Sequence, residues 1–263
     1  MKIIVCVKQV PDTTEVKLDP VKGTLIREGV PSIINPDDKS GIEAALSLKD
    51  QYGAHVTVLT MGPPQADAAL REALAMGCDE AILLTDRMFG GADTWATAST
   101  IAGALKTMEF DLIITGRQAI DGDTAQVGPQ IAERLNLPQV SYVEEFKCED
   151  GKLFLKRQFE DRYQELEVKL PALITTLSEL NKPRYMTVGG VFDAYGEDKV
   201  KTISYQDIKD HVDVANIGLK GSPTRVFKSF TKSPKALGQF HDGVTTDQAV
   251  ELIVSKLKEK FII

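Results

Sequence analysis

The sequence predicts an α/β fold: a doubly wound, mostly parallel sheet extended by an antiparallel meander, with an irregular C-terminal extension. The first observation behind this prediction is that a short apolar run followed by a helix-type segment occurs four times before residue 137. The second is a change after Pro138, where short alternating segments replace the helices. We therefore expect residues 1–177 to form one α/β domain and residues 178–263 to form the extension.

Each of the four repeats consists of a buried-type strand and a helix. The first strand is apolar on both faces, as a central parallel strand is, and Asn35-Pro36 opens the first helix, which Gly53 ends. Since β-α units in series build a parallel sheet with helices on both faces, the carboxyl ends of the strands should meet at one edge. The strands are predicted at residues 3–9, 55–61, 80–85 and 111–115, and the helices at 36–52, 66–76, 95–108 and 130–136.

The remaining segments are predicted from turn residues and from alternation of apolar and polar residues. Residues 11–36 are rich in proline and glycine and suggest a long loop or hairpin, with short edge strands at 15–19 and 24–27. After residue 138, strands at 140–146, 152–159, 164–170 and 172–176 form the meander. Residues 178–242 show little periodicity, and an amphipathic helix is predicted at 245–258.

The loop after the fourth strand, residues 116–128, is the strongest candidate site. It runs from the carboxyl end of a strand to the amino end of a helix, where open α/β sheets bind their ligands. The helix is predicted to begin near Asp123 or Thr124, so that its free N–H groups and its dipole favour an anion. An ordinary capped helix after a tight turn fits the same spacing equally well.

Three residues of this loop suggest a cradle for the phosphates of an adenine nucleotide. Arg117 adds a positive charge and a planar set of donors. Gly116 and Gly122 would let the backbone approach a ligand without a side chain between them. No two glycines of the chain have the spacing Gly-x-Gly, so the usual dinucleotide fingerprint and the Walker-type lysine loop are absent from the sequence.

Composition excludes several classes of function. The net charge of −7 argues against binding to nucleic acid or to anionic membrane surfaces. The 3 cysteines are too far apart for a metal or iron–sulfur framework, and the 3 histidines form no cluster, so no metal site is expected. The apolar run at residues 3–7 is too short for a signal peptide, and no segment is long enough to span a membrane; we expect a cytoplasmic protein.

Several short motifs occur in order along the chain: Val5-Cys-Val-Lys8, Asn35-Pro36, Met61-Gly-Pro63, Gly116-x-Gln-Ala-Ile-Asp-x-Asp123, Leu170-Pro-Ala172 and Pro183-Arg-Tyr185. With these motifs the sequence resembles, nearly end to end, the beta subunit of electron-transferring flavoproteins. The resemblance implies a Rossmann-like domain that binds an adenine nucleotide, and a heterodimer with an alpha subunit that carries FAD. In ordinary members the beta-subunit nucleotide is AMP, whereas in electron-bifurcating members it is a second FAD.

Three departures from the ordinary pattern favour the bifurcating branch: the loop sequence 121–128, Asp37 in place of a bulky aromatic residue, and the loop 91–97. Since Gly122 and Asp37 are small, they leave room for a flavin. In that branch the flavin takes a hydride from NADH. One electron passes to the alpha-subunit FAD, towards an acyl-CoA dehydrogenase, and the other passes to a ferredoxin or flavodoxin. The flavin supplies this chemistry, so no catalytic side chain is expected.

The resemblance also implies which residues contact the nucleotide. The proposed cofactor-binding residues are Cys6, Asn35, Asp37, Met61, Asp93, Thr94, Thr97, Gly116, Arg117, Gln118, Asp121, Gly122, Asp123, Thr124, Ala125, Gln126 and Val127. Structural alternatives exist for some of them. Cys6 and Met61 suit a hydrophobic core, and Asn35 and Asp93 suit helix caps.

Partner contacts are expected in the extension. In ordinary members the segment corresponding to residues 183–195 contacts acyl-CoA dehydrogenases, which implies docking roles here for Arg184, Tyr185, Val188, Val191 and Phe192. The last helix is expected to wrap the alpha subunit. Two other functions remain open: a beta subunit that holds only structural AMP, and a stand-alone nucleotide hydrolase, for which the sequence offers no nucleophile or metal cluster.

Overall fold

The computed structural model describes residues 1–12, 31–227 and 237–263. The chain divides into two compact units, Met1–Phe227 and Lys228–Ile263. Residues 178–227 therefore belong to the same compact unit as the sheet. The edge strands predicted at 15–19 and 24–27 lie outside the described residues. A role for residues 178–263 in contacting a partner stays a prediction.

The elements follow one another along the chain in the predicted β-α alternation. They are β1 (Lys2–Cys6), β2 (Gln9–Pro11), β3 (Ser32–Ile34), α1 (Pro36–Tyr52), β4 (His55–Met61), α2 (Asp67–Met76), β5 (Glu80–Leu84), α3 (Thr94–Leu105), β6 (Leu112–Gly116), α4 (Val127–Leu135), β7 (Gln139–Glu149), β8 (Lys152–Gln158), β9 (Tyr163–Lys169), β10 (Ala172–Thr176), α5 (Val188–Ala194), β11 (Val200–Ile203), α6 (Tyr205–Ile208) and α7 (Thr246–Glu259).

Nine of these strands form one sheet in the order β11-β5-β4-β1-β6-β10-β7-β8-β9. The strands from β11 to β7 pair in parallel, and β7, β8 and β9 form an antiparallel meander. The predicted α/β class, with a mostly parallel sheet and an antiparallel extension, is confirmed. The short strands β2 and β3 pair with each other as a separate hairpin.

The central strands are buried on both faces, as their sequences predict. Ile3 and Val5 of β1 belong to one hydrophobic cluster, which also contains residues of α1 and α2. Ile4 and Cys6 belong to a second cluster, which contains residues of α3 and α4. Because successive side chains of a strand point to opposite faces, these two clusters are the two helical layers of a doubly wound sheet.

One prediction about the meander is wrong. Residues 172–176 were expected to be its last strand, but β10 lies between β6 and β7 and runs parallel to both. All five residues of β10 are buried. A strand with both faces covered suits the interior of a sheet, whereas β7, β8 and β9 have partly exposed residues and form its margin.

The extension is also more regular than its sequence indicates. Strand β11 adds to the opposite margin of the sheet, where Lys201 pairs with Ile82 of β5. It has only four residues and its middle two are exposed, so it gives little hydrophobic periodicity. Helix α7, in the second unit, begins with a capping box formed by Thr245 and Gln248.

Candidate functional site

The loop 116–128 begins at the point where successive strands stop being added on one side of β1 and start being added on the other side. From β1 the chain passes through α1 to β4 and through α2 to β5 on one side, and then crosses to β6 on the other side. Cys6 at the end of β1 is paired with Leu59 of β4 and with Thr115 of β6. The ends of these three strands therefore lie side by side at the switch point, the position at which open α/β sheets bind ligands.

Asn35 fixes the first part of the loop. Its side-chain Nδ2 donates to the carbonyl of Gln118 at 2.8 Å, and its Oδ1 accepts from the N–H of Ile120 at 3.0 Å. The side chain makes no capping bond to α1, which it precedes, so the alternative of a simple helix cap is wrong. Both the donor and the acceptor of this fully buried amide are used to hold the loop.

Asp38 lies beneath the start of the loop and was not identified from the sequence. Its Oδ2 accepts from the backbone N–H of Lys8 at 2.7 Å, and its Oδ1 accepts from that of Gly116 at 3.0 Å. Burial raises the pKa of this carboxyl to about 7, although the two backbone N–H groups and the side chain of Asn35 oppose the shift. The carboxylate thus bridges the residues that follow β1 and end β6.

Gly116 is needed for the packing of Asp38 against the loop. A Cβ at this position would lie 2.1 Å from Asp38 Oδ1 and 2.9 Å from the Cβ of Asp37. Asp38 therefore fills the Cβ side of Gly116, and an approach of its backbone to a ligand stays a prediction. Around Gly122, in contrast, a Cβ would meet no atom within 4 Å among the described residues, so this part of the loop is open.

Asp37 and Arg117 face each other at the rim of the loop. Arg117 Nε lies 3.4 Å from Asp37 Oδ2, and the other carboxylate oxygen of Asp37 accepts from the N–H of Ser178 at 3.0 Å. Burial raises the pKa of Asp37, against the opposing effect of the Arg117 charge. The carboxylate of Asp37 is thus held by the N–H of Ser178, just after β10. Its negative charge offsets part of the positive charge of Arg117.

The middle of the loop is a tight turn and not the start of a helix. The N–H groups of Gly122 and Asp123 both donate to the carbonyl of Ala119, at 3.1 and 2.8 Å. Asp123 and Ala125 have φ angles of 55° and 53°, in the left-handed region. Helix α4 therefore begins only at Val127, and the predicted start near residues 123–124 is wrong.

Positive φ at a non-glycine residue without a polar side chain, as at Ala125, is uncommon and often accompanies a functional site. Two side-chain contacts brace this turn, one from outside the loop and one within it. The Nζ of Lys8 contacts Asp121 Oδ1 at 2.6 Å, and the amide of Gln118 donates to the carboxylate of Asp123. The turn is therefore set by contacts with the segment after β1 as well as by its own sequence.

The loop also contacts the amino end of α3. The hydroxyl of Thr94 donates to Gln126 Oε1 at 2.9 Å, which joins the first turn of α3 to the residue that precedes α4. Thr97 lies one turn further along the same helix. The loop thus brings Thr94 to the predicted site, together with the stretch 116–127 and the ends of β1 and β4.

Asp93 has a structural role here. One of its oxygens accepts from the N–H of Ala96 at 3.0 Å, which caps α3, and the other accepts from the N–H and hydroxyl of Thr224 at 3.0 and 2.8 Å. Burial opposes ionisation of Asp93, but these bonds, with one from Ser222, hold its pKa below the usual value. Its carboxylate is therefore already occupied by the chain itself.

Gly128 is a second residue that the sequence analysis did not select. A Cβ there would lie 2.5 Å from Thr115 Oγ1 and 2.9 Å from Thr175 Cγ2. Only glycine allows the first turn of α4 to pack this closely on β6 and β10. This glycine ends the candidate loop 116–128, but its role depends on strand neighbours that the sequence does not show.

The predicted docking residues lie around α5 and separate into two groups. Arg184 binds Glu43 through two contacts of 2.9 Å and Asp50 at 2.8 Å, and these carboxylates raise its pKa, so it braces the segment against α1. Val191 is half-buried. The other three predicted residues are exposed: Tyr185 by 90%, Val188 by 78% and Phe192 by 78%. They form an apolar surface that Tyr195 extends.

Among the residues that the structure describes, no group of three or more His, Cys, Asp or Glu side chains is arranged to hold a metal ion. The cysteines at positions 6, 78 and 148 are buried free thiols, and burial raises the pKa of Cys6 and of Cys78 to about 12. No helix within the described ranges has the length and hydropathy to cross a membrane.

Comparisons with known proteins agree with these features. The family profile described as "Electron transfer flavoprotein domain" matches residues 22–208. Electron transfer flavoprotein subunit beta of Clostridium acetobutylicum is 59% identical over 263 residues, which cover 100% of both chains. Subunit CarD of the caffeyl-CoA reductase-Etf complex of Acetobacterium woodii is 56% identical over 265 residues, with 100% of both chains covered. The electron transfer subunit gamma of acryloyl-CoA reductase of Anaerotignum propionicum is 48% identical over 270 residues, also with 100% of both chains covered.

Proposed function

Because the chain belongs to the family of electron transfer flavoprotein beta subunits, we propose that it holds an FAD at the carboxyl edge of β1 and β6. The flavin, when bound, supplies hydride acceptance from NADH and the transfer of single electrons to two acceptors. The observation that carries this proposal is the loop 116–126, which is fixed in a strained turn at the switch point of the sheet.

The residues at the switch point are suited to bind the phosphates of a dinucleotide. The first turn of α4 presents backbone N–H groups and the positive end of the helix dipole to this edge. Arg117 adds a cation whose buried Nε makes no hydrogen bond among the described residues. Gln118 to Val127 would surround the phosphates, while the backbone at Cys6 and Met61 would lie against the adenosine.

Two observations support FAD over AMP as the nucleotide. The space around Gly122 is open. The carboxylate of Asp37 accepts a hydrogen bond from the N–H of Ser178 and so stays with its own chain. In addition, two of the relatives are described as subunits of caffeyl-CoA and acryloyl-CoA reductase systems. We infer from these names that this chain also serves an acyl-CoA-linked reaction.

The same proposal assigns partners to two exposed surfaces. The apolar residues around α5, namely Tyr185, Val188 and Phe192, would contact an acyl-CoA dehydrogenase. In α7, Val250 and Ile253 are 55% and 59% exposed and lie on one side of the helix, which suits a contact with the alpha subunit. A ferredoxin or flavodoxin would accept the second electron.

The flavin content of the purified heterodimer with its alpha subunit tests the proposal. Two FAD per heterodimer and prompt bleaching of the flavin absorbance by NADH are expected. One FAD together with one AMP, and no bleaching by NADH, would show that the chain is a beta subunit with a structural nucleotide. A heterodimer that fails to form at all, with nucleotide hydrolysis by the chain on its own, would favour the hydrolase alternative.

A further inference from the structure

We propose that Asp38 is a positioning residue of the nucleotide site, whose carboxylate fixes the start of the loop 116–126 against the segment that follows β1. This inference rests on the proposed function only in that an adenine nucleotide must bind at this edge. The carboxylate bonds the N–H of Lys8 through one oxygen and the N–H of Gly116 through the other. Gly116 is the first residue of the loop 116–126, and the side chain of Lys8 contacts Asp121 within it, so the bridge fixes the position of the loop relative to the end of β1.

The chemistry of the bridge requires a carboxylate. Two backbone N–H groups converge on Asp38, and each needs an acceptor oxygen. An asparagine side chain has one oxygen and one NH₂ group, so it satisfies one donor and directs its own hydrogens at the other. Asp38 also fills the space where a Cβ of Gly116 would lie, so the carboxylate packs directly against the backbone of Gly116.

The location of Asp38 argues that the bridge serves the site and not only the stability of the fold. Burial raises the pKa of Asp38 to about 7, so the ionised form is costly at neutral pH. The ionisable groups that interact with Asp38 are Cys6 at the end of β1 and Asp37 beside it in α1, and neither carries a positive charge. The Arg117 guanidinium is directed at Asp37, so the charge of Asp38 is stabilised by the N–H groups of Lys8 and Gly116 and by the side chain of Asn35.

Asp79 provides a matched comparison within the same sheet. Its carboxylate also joins two elements, because it accepts from the N–H of Val56 at 2.9 Å and from Lys49 Nζ at 2.6 Å. It lies at the amino ends of β4 and β5, at the opposite edge of the sheet from the loop. Hydrogen bonds and the charge of Lys49 outweigh burial and hold its pKa below the usual value.

The test compares D38N and D79N in the complete heterodimer after its beta-site nucleotide has been removed. FAD binding is followed by flavin fluorescence, AMP binding by calorimetry, and the folding of each variant by its thermal midpoint. We expect D38N to bind either nucleotide roughly tenfold more weakly than the unaltered protein, as the loss of one charge-assisted hydrogen bond predicts. D79N should keep the affinity even where its thermal midpoint falls.

Several outcomes would overturn the inference. Equal affinity of D38N and the unaltered protein would do so, and so would an equal loss of affinity in D79N. If D38N does not fold, D38E takes its place, because it keeps the charge but moves the carboxylate by one methylene group; unchanged affinity in D38E would contradict the proposed bridge. If the unaltered heterodimer binds neither FAD nor AMP at this site, the proposed function fails instead.

Discussion

Replacing Gly116 with alanine should destabilise the protein, whereas the same change at Gly122 should not. A Cβ at Gly116 would lie 2.1 Å from Asp38 Oδ1 and 2.8 Å from the Asp38 backbone nitrogen, more than an ångström inside ordinary contact with the oxygen. Asp38 would have to move and lose its bond from the N–H of Gly116. Overpacking and the lost charge-assisted bond together predict a cost of about 2–5 kcal/mol.

Gly122 is the matched control, since it lies six residues further along the same loop. A Cβ there meets no described atom within 4 Å, and Gly122 is not among the glycines with positive φ. Alanine at this position restricts the unfolded chain and should change stability by less than about 1 kcal/mol, in the stabilising direction.

Thermal unfolding of the heterodimer at one protein concentration measures the difference. For a chain of this size the predicted cost corresponds to a lower midpoint for G116A by roughly 5–15 °C, with little change for G122A. Retention of the nucleotide through gel filtration provides an independent measurement. Equal midpoints for the two variants would refute the conclusion that the packing of Asp38 requires glycine at position 116.

Three other predictions concern the side chain of Asn35, the titration of Asp38 and the exposed Phe192. N35A removes both side-chain bonds to Gln118 and Ile120, so we expect a loss of about 1–3 kcal/mol and faster release of the nucleotide, measured by thermal unfolding and dilution. Because the folded-state pKa of Asp38 lies above the ordinary value of 3.8, the folded protein takes up a proton as pH falls through about 7. The unaltered protein should therefore gain stability relative to D38N between pH 8 and pH 6, and a constant difference in urea midpoints would contradict this. F192S should weaken binding to the acyl-CoA dehydrogenase while leaving flavin reduction by NADH unchanged, since Phe192 is 78% exposed and lies on α5.

The sequence predicts the parallel half of the sheet well because its signals are local. Apolar runs, the proline at the start of α1 and the left-handed Gly53 after it fix these elements within a few residues. The position of β10 is not predicted, because pairing between β6 and β7 depends on residues far apart along the chain. Burial of Ala172–Thr176 on both faces is the physical reason for its place, and it is visible only in the folded sheet.

The candidate site shows the same division between its position and its internal structure. Its position follows from the order of strands and helices, which is why the loop 116–128 could be selected from the sequence. Its conformation depends on contacts from Lys8, Asn35 and Asp38, which are 78 to 113 residues away in the chain from their partners. From local residues alone, α4 is therefore predicted to begin too early. The turn at residues 119–123 that precedes it is held by side chains far away in the sequence, such as Lys8.

The conformation of the loop is coupled to the pairing of β1 with β6. The contacts of Lys8 with Asp121, of Asn35 with Gln118 and of Asp38 with Gly116 each join the segment around β1 and the start of α1 to residues 116–121. The left-handed residues Asp123 and Ala125 are unfavourable by themselves and persist because these contacts oppose relaxation. Weakening the contacts should therefore loosen the loop before the sheet opens, and nucleotide affinity should respond to D38N or N35A at temperatures where the fold is still intact.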